Sequence, residues 1–159
     1  MIFVTVGTHN QGFERLIKKM DEIAGKIDQE VVMQIGSTDY EPKNAKWFKF
    51  IESEDDVLGY YEKADVIVAH AGAGTLLTAL SLGKRVIVVP RLKKFEEHID
   101  DQQIELAEAL SREGKIIAVY DIEELERALR EVKKLEPAAV ERDMRLIEFL
   151  KEYIRGLEK

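Results

Sequence analysis

The sequence predicts an α/β fold: a Rossmann-like parallel sheet with helices on both faces. Three observations carry it. Short apolar runs alternate with longer segments of helical periodicity, the pattern of βαβ units. Two runs, Val66-Ile67-Val68-Ala69 and Val86-Ile87-Val88-Val89, are apolar at every position, as strands covered on both faces require. The first of them leads directly into His70-Ala71-Gly72-Ala73-Gly74-Thr75, a turn of small residues that opens the next helical segment.

The elements follow in order. Residues 2–6 read as a first strand, ended by the polar, glycine-bounded turn 7–12. Phe13, Leu16, Ile17, Met20, Ile23, Ala24 and Ile27 recur at helical spacing. Residues 31–35 form a second strand stopped by Gly36-Ser37, and a loop at 40–44 leads to a short third strand at 47–51. Ser53, three residues before Asp56, is a capping-box-like start for a helix through Ala64. After the central strand 66–69 come a helix over 75–82, a fifth strand at 86–90 and a charged loop at 91–97. A helix from about 98 to 111 stops before Gly114, and a sixth strand spans 116–119. Asp121 with Glu124 caps a helix carrying Leu125, Ala128, Leu129 and Val132. Pro137 begins a last helix over about 137–157, with Val140, Met144, Ile147, Leu150, Ile154 and Leu157 on one face. No repeat, low-complexity stretch or linker divides the chain, so residues 1–159 read as one domain with that helix packed on it.

Composition narrows the function. With 45% hydrophobic residues the chain can bury a full core. It has no cysteine, which excludes disulfides, a thiolate nucleophile and a cysteine metal site. A net charge of -7 argues against nucleic acid as a partner, because phosphate backbones call for a basic face. No basic-then-apolar leader opens the sequence, and no apolar run approaches the roughly 20 residues needed to cross a bilayer. The expectation is a soluble, cytoplasmic protein.

Parallel sheets of this kind bind ligands beyond the carboxyl ends of their strands. Three polar loops are expected there: 7–12, 70–75 and 90–103. Gly72-Ala73-Gly74 is a G-x-G, but Leu77 stands where the dinucleotide fingerprint needs its third glycine, and no P-loop motif occurs. A helix start after such a turn presents unpaired N–H groups and the positive end of the helix dipole, which favours an anion, most often a phosphate. A tight strand-to-helix turn needs glycine for its own geometry as well, so both readings of the loop stand.

Four segments then carry a resemblance. Val4-Thr5-Val6-Gly7-Thr8-His9 is followed by Phe13-Glu14-Arg15-Leu16-Ile17. Gln34-Ile35-Gly36 is followed by Asp39-Tyr40-Glu41-Pro42. His70-Ala71-Gly72-Ala73-Gly74-Thr75 is followed by Leu82-Gly83-Lys84 and Val89-Pro90-Arg91. Glu97-His98-Ile99-Asp100-Asp101-Gln102-Gln103 is followed by Ala107. In this order, over about residues 1–130, they resemble the carboxyl-terminal domain of glycosyltransferase family 28, in its stand-alone form. The resemblance implies a GT-B arrangement, in which this domain holds the nucleotide sugar and another holds the acceptor. A two-domain transferase would need roughly twice this length. The implied function is the donor-binding, catalytic subunit of an inverting UDP-sugar glycosyltransferase, with UDP-N-acetylglucosamine or a related hexose donor. The implied partners are the UDP-sugar, a membrane-anchored acceptor-binding subunit and, through that subunit, a lipid-linked acceptor. The chain would then be cytoplasmic and peripheral at the membrane. No cofactor and no metal is implied. The alternative is a non-catalytic nucleotide-sugar-binding or regulatory subunit. A receiver-type signalling domain fails, because the first loop lacks its acidic pair.

Residue by residue, the resemblance assigns Gly7, Thr8 and His9 to the diphosphate; the plainer account is a turn glycine, a capping Thr and a surface His. It assigns His70, Ala71, Gly72, Ala73, Gly74 and Thr75 to a diphosphate and ribose cradle. His70 also fits a buried histidine satisfied by a backbone carbonyl. His9 and His70 are the candidate catalytic residues, since histidine carries charge near neutral pH, and no base is assigned. Thr78 stands where relatives carry an acidic or amide residue for the ribose hydroxyls; being shorter, it needs a bridging water or a different grip. Phe50 and Ile51 match the position that flanks uracil, or belong to ordinary core. His98, Asp101, Gln102 and Gln103 are the sugar-binding candidates, since carboxylates and amides suit hydroxyls that both donate and accept. An acidic first turn complementing the helix dipole also accounts for Asp100 and Asp101. Glu97, His98 and Asp101 have metal-ligand chemistry, but no metal site is expected. Arg91, Lys93 and Lys94 either steer a diphosphate or, with Glu96 and Glu97, make a solvated loop.

Overall fold

Six strands, β1 (Ile2–Thr5), β2 (Val31–Gln34), β3 (Lys46–Phe48), β4 (Val66–Ala69), β5 (Arg85–Val88) and β6 (Ile116–Ala118), form one sheet in the order β3-β2-β1-β4-β5-β6. Every neighbouring pair is parallel. Ile2 lies opposite both Val31 and Val66, and Thr5 opposite both Gln34 and Ala69. The helices are α1 (Glu14–Ala24), α2 (Glu54–Lys63), α3 (Ala73–Ser81), α4 (Gln102–Arg112) and α5 (Leu125–Val132). This computed structural model describes residues 1–8, 10–51, 53–97, 102–112, 116–135, 148, 150–152 and 155, and of Gln102 the backbone alone.

Strand alternation divides the core in two. Ile2, Val4, Val31, Met33, Val66, Val68 and Ile87 face one side, where α1 and α5 bring Leu16, Ile17, Met20, Ile23, Leu125 and Leu129. Phe3, Val32, Ile67, Ala69, Val86 and Val88 face the other, where α3 and α4 bring Leu76, Ala79, Leu80, Leu106 and Leu110, with Tyr61 from α2. Burying each large aliphatic side chain contributes about 1.5–3 kcal/mol, which is why apolar residues fill every central strand. Leu150 joins the second cluster. Most of the helix expected at 137–157 lies outside the described residues.

Several element bounds differ from the sequence reading, and three of the differences matter here. β3 ends at Phe48, because its partner β2 is only four residues long. Beyond it the chain keeps two backbone hydrogen bonds, Ile35 N to Phe48 O and Gly36 N to Lys49 O. Phe50 and Ile51 therefore lie past the strand. Helix α3 begins at Ala73 rather than Thr75, since Leu76 N already bonds Gly72 O at 3.0 Å. A 3-10 turn at Ile122–Glu124 precedes α5, with Asp121 accepting from Glu123 N. Ser53 caps α2 as its spacing predicts, accepting from Asp56 N.

A buried carboxylate fixes the approach to β3. Asp21 on α1 is 2% exposed and accepts from Tyr40 Oη at 2.6 Å, Lys43 N at 3.0 Å and Asn44 N at 2.7 Å. Burial pushes its pKa up, and these hydrogen bonds together outweigh burial and hold it below the ordinary 3.8. A depressed folded pKa gives stability that is full above the unfolded value and lost as pH falls through the folded one. We predict that Asp21→Asn lowers the unfolding free energy by about 1.5–3 kcal/mol at neutral pH, the range for hydrogen bonds to a charged group. Urea melts should show the gap between wild type and variant closing as pH drops below 3.8. A gap that stays constant with pH would remove the charged hydrogen bonds as its cause.

Candidate functional site

β1 and β4 are neighbours, and the chain leaves them toward opposite edges of the sheet. Their carboxyl ends thus open a crevice, the switch point at which doubly wound sheets bind ligands. A cleft of about 820 Å³ lies there. Thr5, Gln34 and His70 line it at the strand ends, α3 contributes Ala73, Gly74, Thr75 and Thr78, and α2 contributes Glu54, Val57, Leu58 and Tyr61.

The α3 wall is built for close approach to its backbone. Gly72 is the N-cap; no side chain caps the helix, and its first turn holds no acidic residue. The first N–H groups of an α-helix have no intrahelical partner, so they carry the positive end of the dipole. Two glycines beside it are there for His70. Gly7 has φ +71, and a Cβ on it would lie 2.5 Å from His70 Nε2. A Cβ on Gly72 would collide with His70 Cε1. Gly74 is different: a Cβ there meets nothing within 4 Å. Its missing side chain leaves the helix start open toward the cleft.

Under the cleft runs a chain of polar contacts. Thr5 Oγ1 donates to Gln34 Oε1 at 2.8 Å and accepts from Gly7 N at 3.2 Å. Tyr61 hydrogen-bonds the hydroxyls of Thr75 and Thr5; burial pushes its phenol pKa up, and these two bonds offset part of the rise. Thr75 Oγ1 lies 3.3 Å from His70 Nε2, and His70 Nδ1 lies 3.3 Å from Gln103 Nε2. Gln103 Oε1 accepts from Ala71 N at 3.2 Å and Arg91 N at 2.9 Å.

Arg91 ties the first loop to the loop after β5. Its side chain is fully buried. Nη1 donates to the carbonyls of Gln11, Gly12 and Glu97, and Nη2 donates to the carbonyl of Val6. The guanidinium lies 4.9 Å from the Phe13 ring centroid. Burial lowers its pKa to about 10, partly opposed by Glu97, so it is cationic at neutral pH. The Glu97 carboxylate is held by Arg15 through Nε and Nη2, each at 3.0 Å, and accepts from Leu92 N at 3.0 Å. Arg91 is therefore neither a diphosphate ligand nor part of a solvated loop, because its side chain is buried and its Nη1 and Nη2 donors are turned inward to backbone.

The structure brings Gly7, Thr8, Ile51, His70, Ala71, Gly72, Ala73, Gly74, Thr75, Thr78 and Gln103 to one cleft. The Gln103 amide is committed to protein groups and is 8% exposed. Thr78 Oγ1 bonds back to Gly74 O at 3.1 Å. Phe50 is not among the residues lining the cleft and is 50% exposed, so it is not core. His9, His98 and Asp101 lie outside the described residues, as does the Gln102 side chain. Among the described residues no three His, Asp or Glu side chains gather as a metal site.

Sequence reasoning missed Thr5, Gln34 and the α2 wall. The signals were present. Thr5 and Gln34 are the polar last residues of two otherwise apolar strands. Glu54, Val57, Leu58 and Tyr61 stand at i, i+3, i+4 and i+7, one face of one helix.

Comparison with known proteins follows the same lines. A family model described as the Glycosyltransferase family 28 C-terminal domain matches residues 1–154. The UDP-N-acetylglucosamine transferase subunit ALG13 of Homo sapiens is 31% identical over 125 residues, covering 72% of this chain and 10% of that protein. The chain thus spans a small part of that relative's length. The crystal structure of the glycotransferase of kitacinnamycin superposes with a TM-score of 0.66 at 23% identity, over 98% of this chain and 39% of that one. The NMR solution structure of ALG13 superposes with a TM-score of 0.60 at 19% identity, over 92% of this chain and 94% of that one. At these identities the two superpositions speak to the fold alone.

The glycines of the cleft separate into two kinds, and substitution should tell them apart. We predict that Gly72→Ala destabilises by about 1–3 kcal/mol, the usual cost of overpacking, while Gly74→Ala changes stability by no more than about 1 kcal/mol. Urea denaturation of the two variants measures this. Equal stability of Gly72→Ala and wild type would mean that the His70 ring does not need the space.

Proposed function

The chain belongs to the glycosyltransferase family 28 C-terminal domains, and from that premise we propose that it is the donor-binding, catalytic subunit of an inverting UDP-sugar glycosyltransferase with UDP-N-acetylglucosamine as donor. One observation carries the reading: the uncapped start of α3, with Gly74 bare, opens into the cleft at the β1–β4 switch point. A diphosphate is the anion that suits such a helix start, and the human relative is by name a subunit of a UDP-N-acetylglucosamine transferase.

In the proposed reaction an acceptor hydroxyl attacks the anomeric carbon from the face opposite the diphosphate. The bond from that carbon to the diphosphate oxygen breaks, and UDP leaves with the electron pair. The hydroxyl proton passes to a base. Charge developing on the diphosphate meets N–H groups that are oriented before the reaction begins, so little reorganisation is needed. The reading calls for no metal, because the helix start provides the positive potential. The acceptor is lipid-linked and held by a membrane-anchored partner. Among the described residues no helix is long and apolar enough to cross a membrane. Aligning donor and acceptor is worth on the order of 7–11 kcal/mol, so the chain alone should bind donor and transfer poorly.

Ligand-induced stabilisation tests the donor. UDP at about 100 times its Kd should add about 2.7 kcal/mol to the unfolding free energy, read as a rise in Tm, and EDTA should leave that rise unchanged. Gly74→Val should fold and bind UDP at least about tenfold more weakly, a loss of about 1.4 kcal/mol. No rise with UDP or any UDP-sugar, beside a rise with another nucleotide, would refute the donor assignment. Radiolabel transfer to a lipid acceptor, with and without the partner, tests the half-enzyme. Robust transfer by the isolated chain would refute it, and binding without transfer beside the partner would favour a non-catalytic, regulatory subunit.

A further inference from the structure

We propose that Gln103 is a positioning residue that holds His70 as the neutral imidazole with its proton on Nε2. An amide oxygen and nitrogen are ordinarily assigned from their hydrogen-bond partners. Here the assignment has one solution, since two backbone N–H groups, those of Ala71 and Arg91, converge on the same atom. Both are donors, so that atom is the oxygen. The amide nitrogen, itself a donor, then faces His70 Nδ1 at 3.3 Å. A protonated Nδ1 would set one N–H against another. Nδ1 is therefore the acceptor, and in a neutral imidazole the other nitrogen carries the proton. That proton lies toward Thr75 Oγ1, 3.3 Å from Nε2.

The consequence is chemical. His70 presents an N–H donor toward the helix start and has no lone pair there with which to take a proton. It is a donor in the cleft and not the base that activates an acceptor. Gly7 and Gly72 make room for the ring in this plane, since a Cβ on either would overlap it. Among the described residues, the titratable groups around it are Tyr61 of α2, one hydroxyl away through Thr75, Glu54 across the cleft on α2, and Arg91 behind Gln103. The tautomer does not depend on the UDP-sugar reading; the use of Nε2–H as a donor to a bound diphosphate does.

Long-range proton–nitrogen correlation on the uniformly labelled, ligand-free chain tests the tautomer directly. The chain has 3 histidines, so the His70 signals are assigned by their loss in His70→Gln. At neutral pH His70 should show an unprotonated Nδ1 and a protonated Nε2. Gln103→Glu keeps an oxygen for the two backbone N–H groups and places a second acceptor at Nδ1. It should give His70 with both nitrogens protonated at neutral pH. A protonated Nδ1 in wild type or an unchanged His70 spectrum in folded Gln103→Glu would overturn the proposal. If Gln103→Glu does not fold, the wild-type spectra decide alone. None of these measurements requires UDP to bind, so failure of the donor reading leaves the test intact.

Discussion

The arrangement depends on one buried cation. Arg91 is shielded from solvent entirely, and removing a charge from water costs several kcal/mol unless it is met by partners. Four backbone carbonyls meet it, from Val6, Gln11, Gly12 and Glu97, together with the face of Phe13. A guanidinium suits this role because its donors point in fixed, planar directions; an ammonium would reach fewer carbonyls from one position. The carbonyls gain as much as the cation does. They belong to irregular backbone, where no strand or helix would satisfy them. The first loop and the loop after β5 are thereby fixed to one another. The Arg91 backbone N–H extends the lock through Gln103 to Ala71 at the end of β4. Three loops from three crossovers become one support around His70.

That support explains how a site made of loops can be preorganised. The strands deliver Thr5, Gln34 and His70 to one level because β1, β2 and β4 are paired in register. The polar chain from Gln34 to Gln103 then fixes side-chain directions without a rigid element of its own. Beside that support, the start of α3 opens into the cleft without a side-chain cap. Ser53 caps α2, whereas no side chain caps α3; α1 also lacks a side-chain cap, but its start does not line the cleft.

Much of this was legible in the sequence. Val66-Ile67-Val68-Ala69 announced a central strand, because only two-sided burial tolerates such a run. The α1 periodicity gave its apolar buried face, though not the buried Asp21. The turn at Gly72 gave the start of a helix that lines the cleft. Other features were not legible, for physical reasons. Small residues at Ala73 and Gly74 look like turn, and nothing local says that backbone N–H groups already follow helical geometry there. Arg91 stands near Lys93, Lys94, Glu96 and Glu97, so its composition reads as solvated loop. Its burial follows from carbonyls about eighty residues away, which no local pattern contains. Gln103 likewise suits a sugar hydroxyl by residue type, and only the tertiary structure shows its amide turned to His70 and to two backbone N–H groups.

The charge distribution resolves a tension between the chain as a whole and its cleft. At a net charge of -7 the molecule as a whole repels a diphosphate. At physiological ionic strength, however, exposed charges are screened over about 8 Å, so distant carboxylates contribute little at the helix start. The dipole of α3 acts over its first turn, within that range, and no acidic residue lies in that turn to cancel it. The opposite wall has the opposite character: α2 begins with Glu54, Asp55 and Asp56, and Glu54 lines the cleft. The cleft is thus electrically polar across its width, positive at α3 and negative at α2. An extended ligand with an anionic group at one end and neutral hydroxyls or amides at the other is favoured in one orientation over its reverse, because turning it round sets the anion against Glu54.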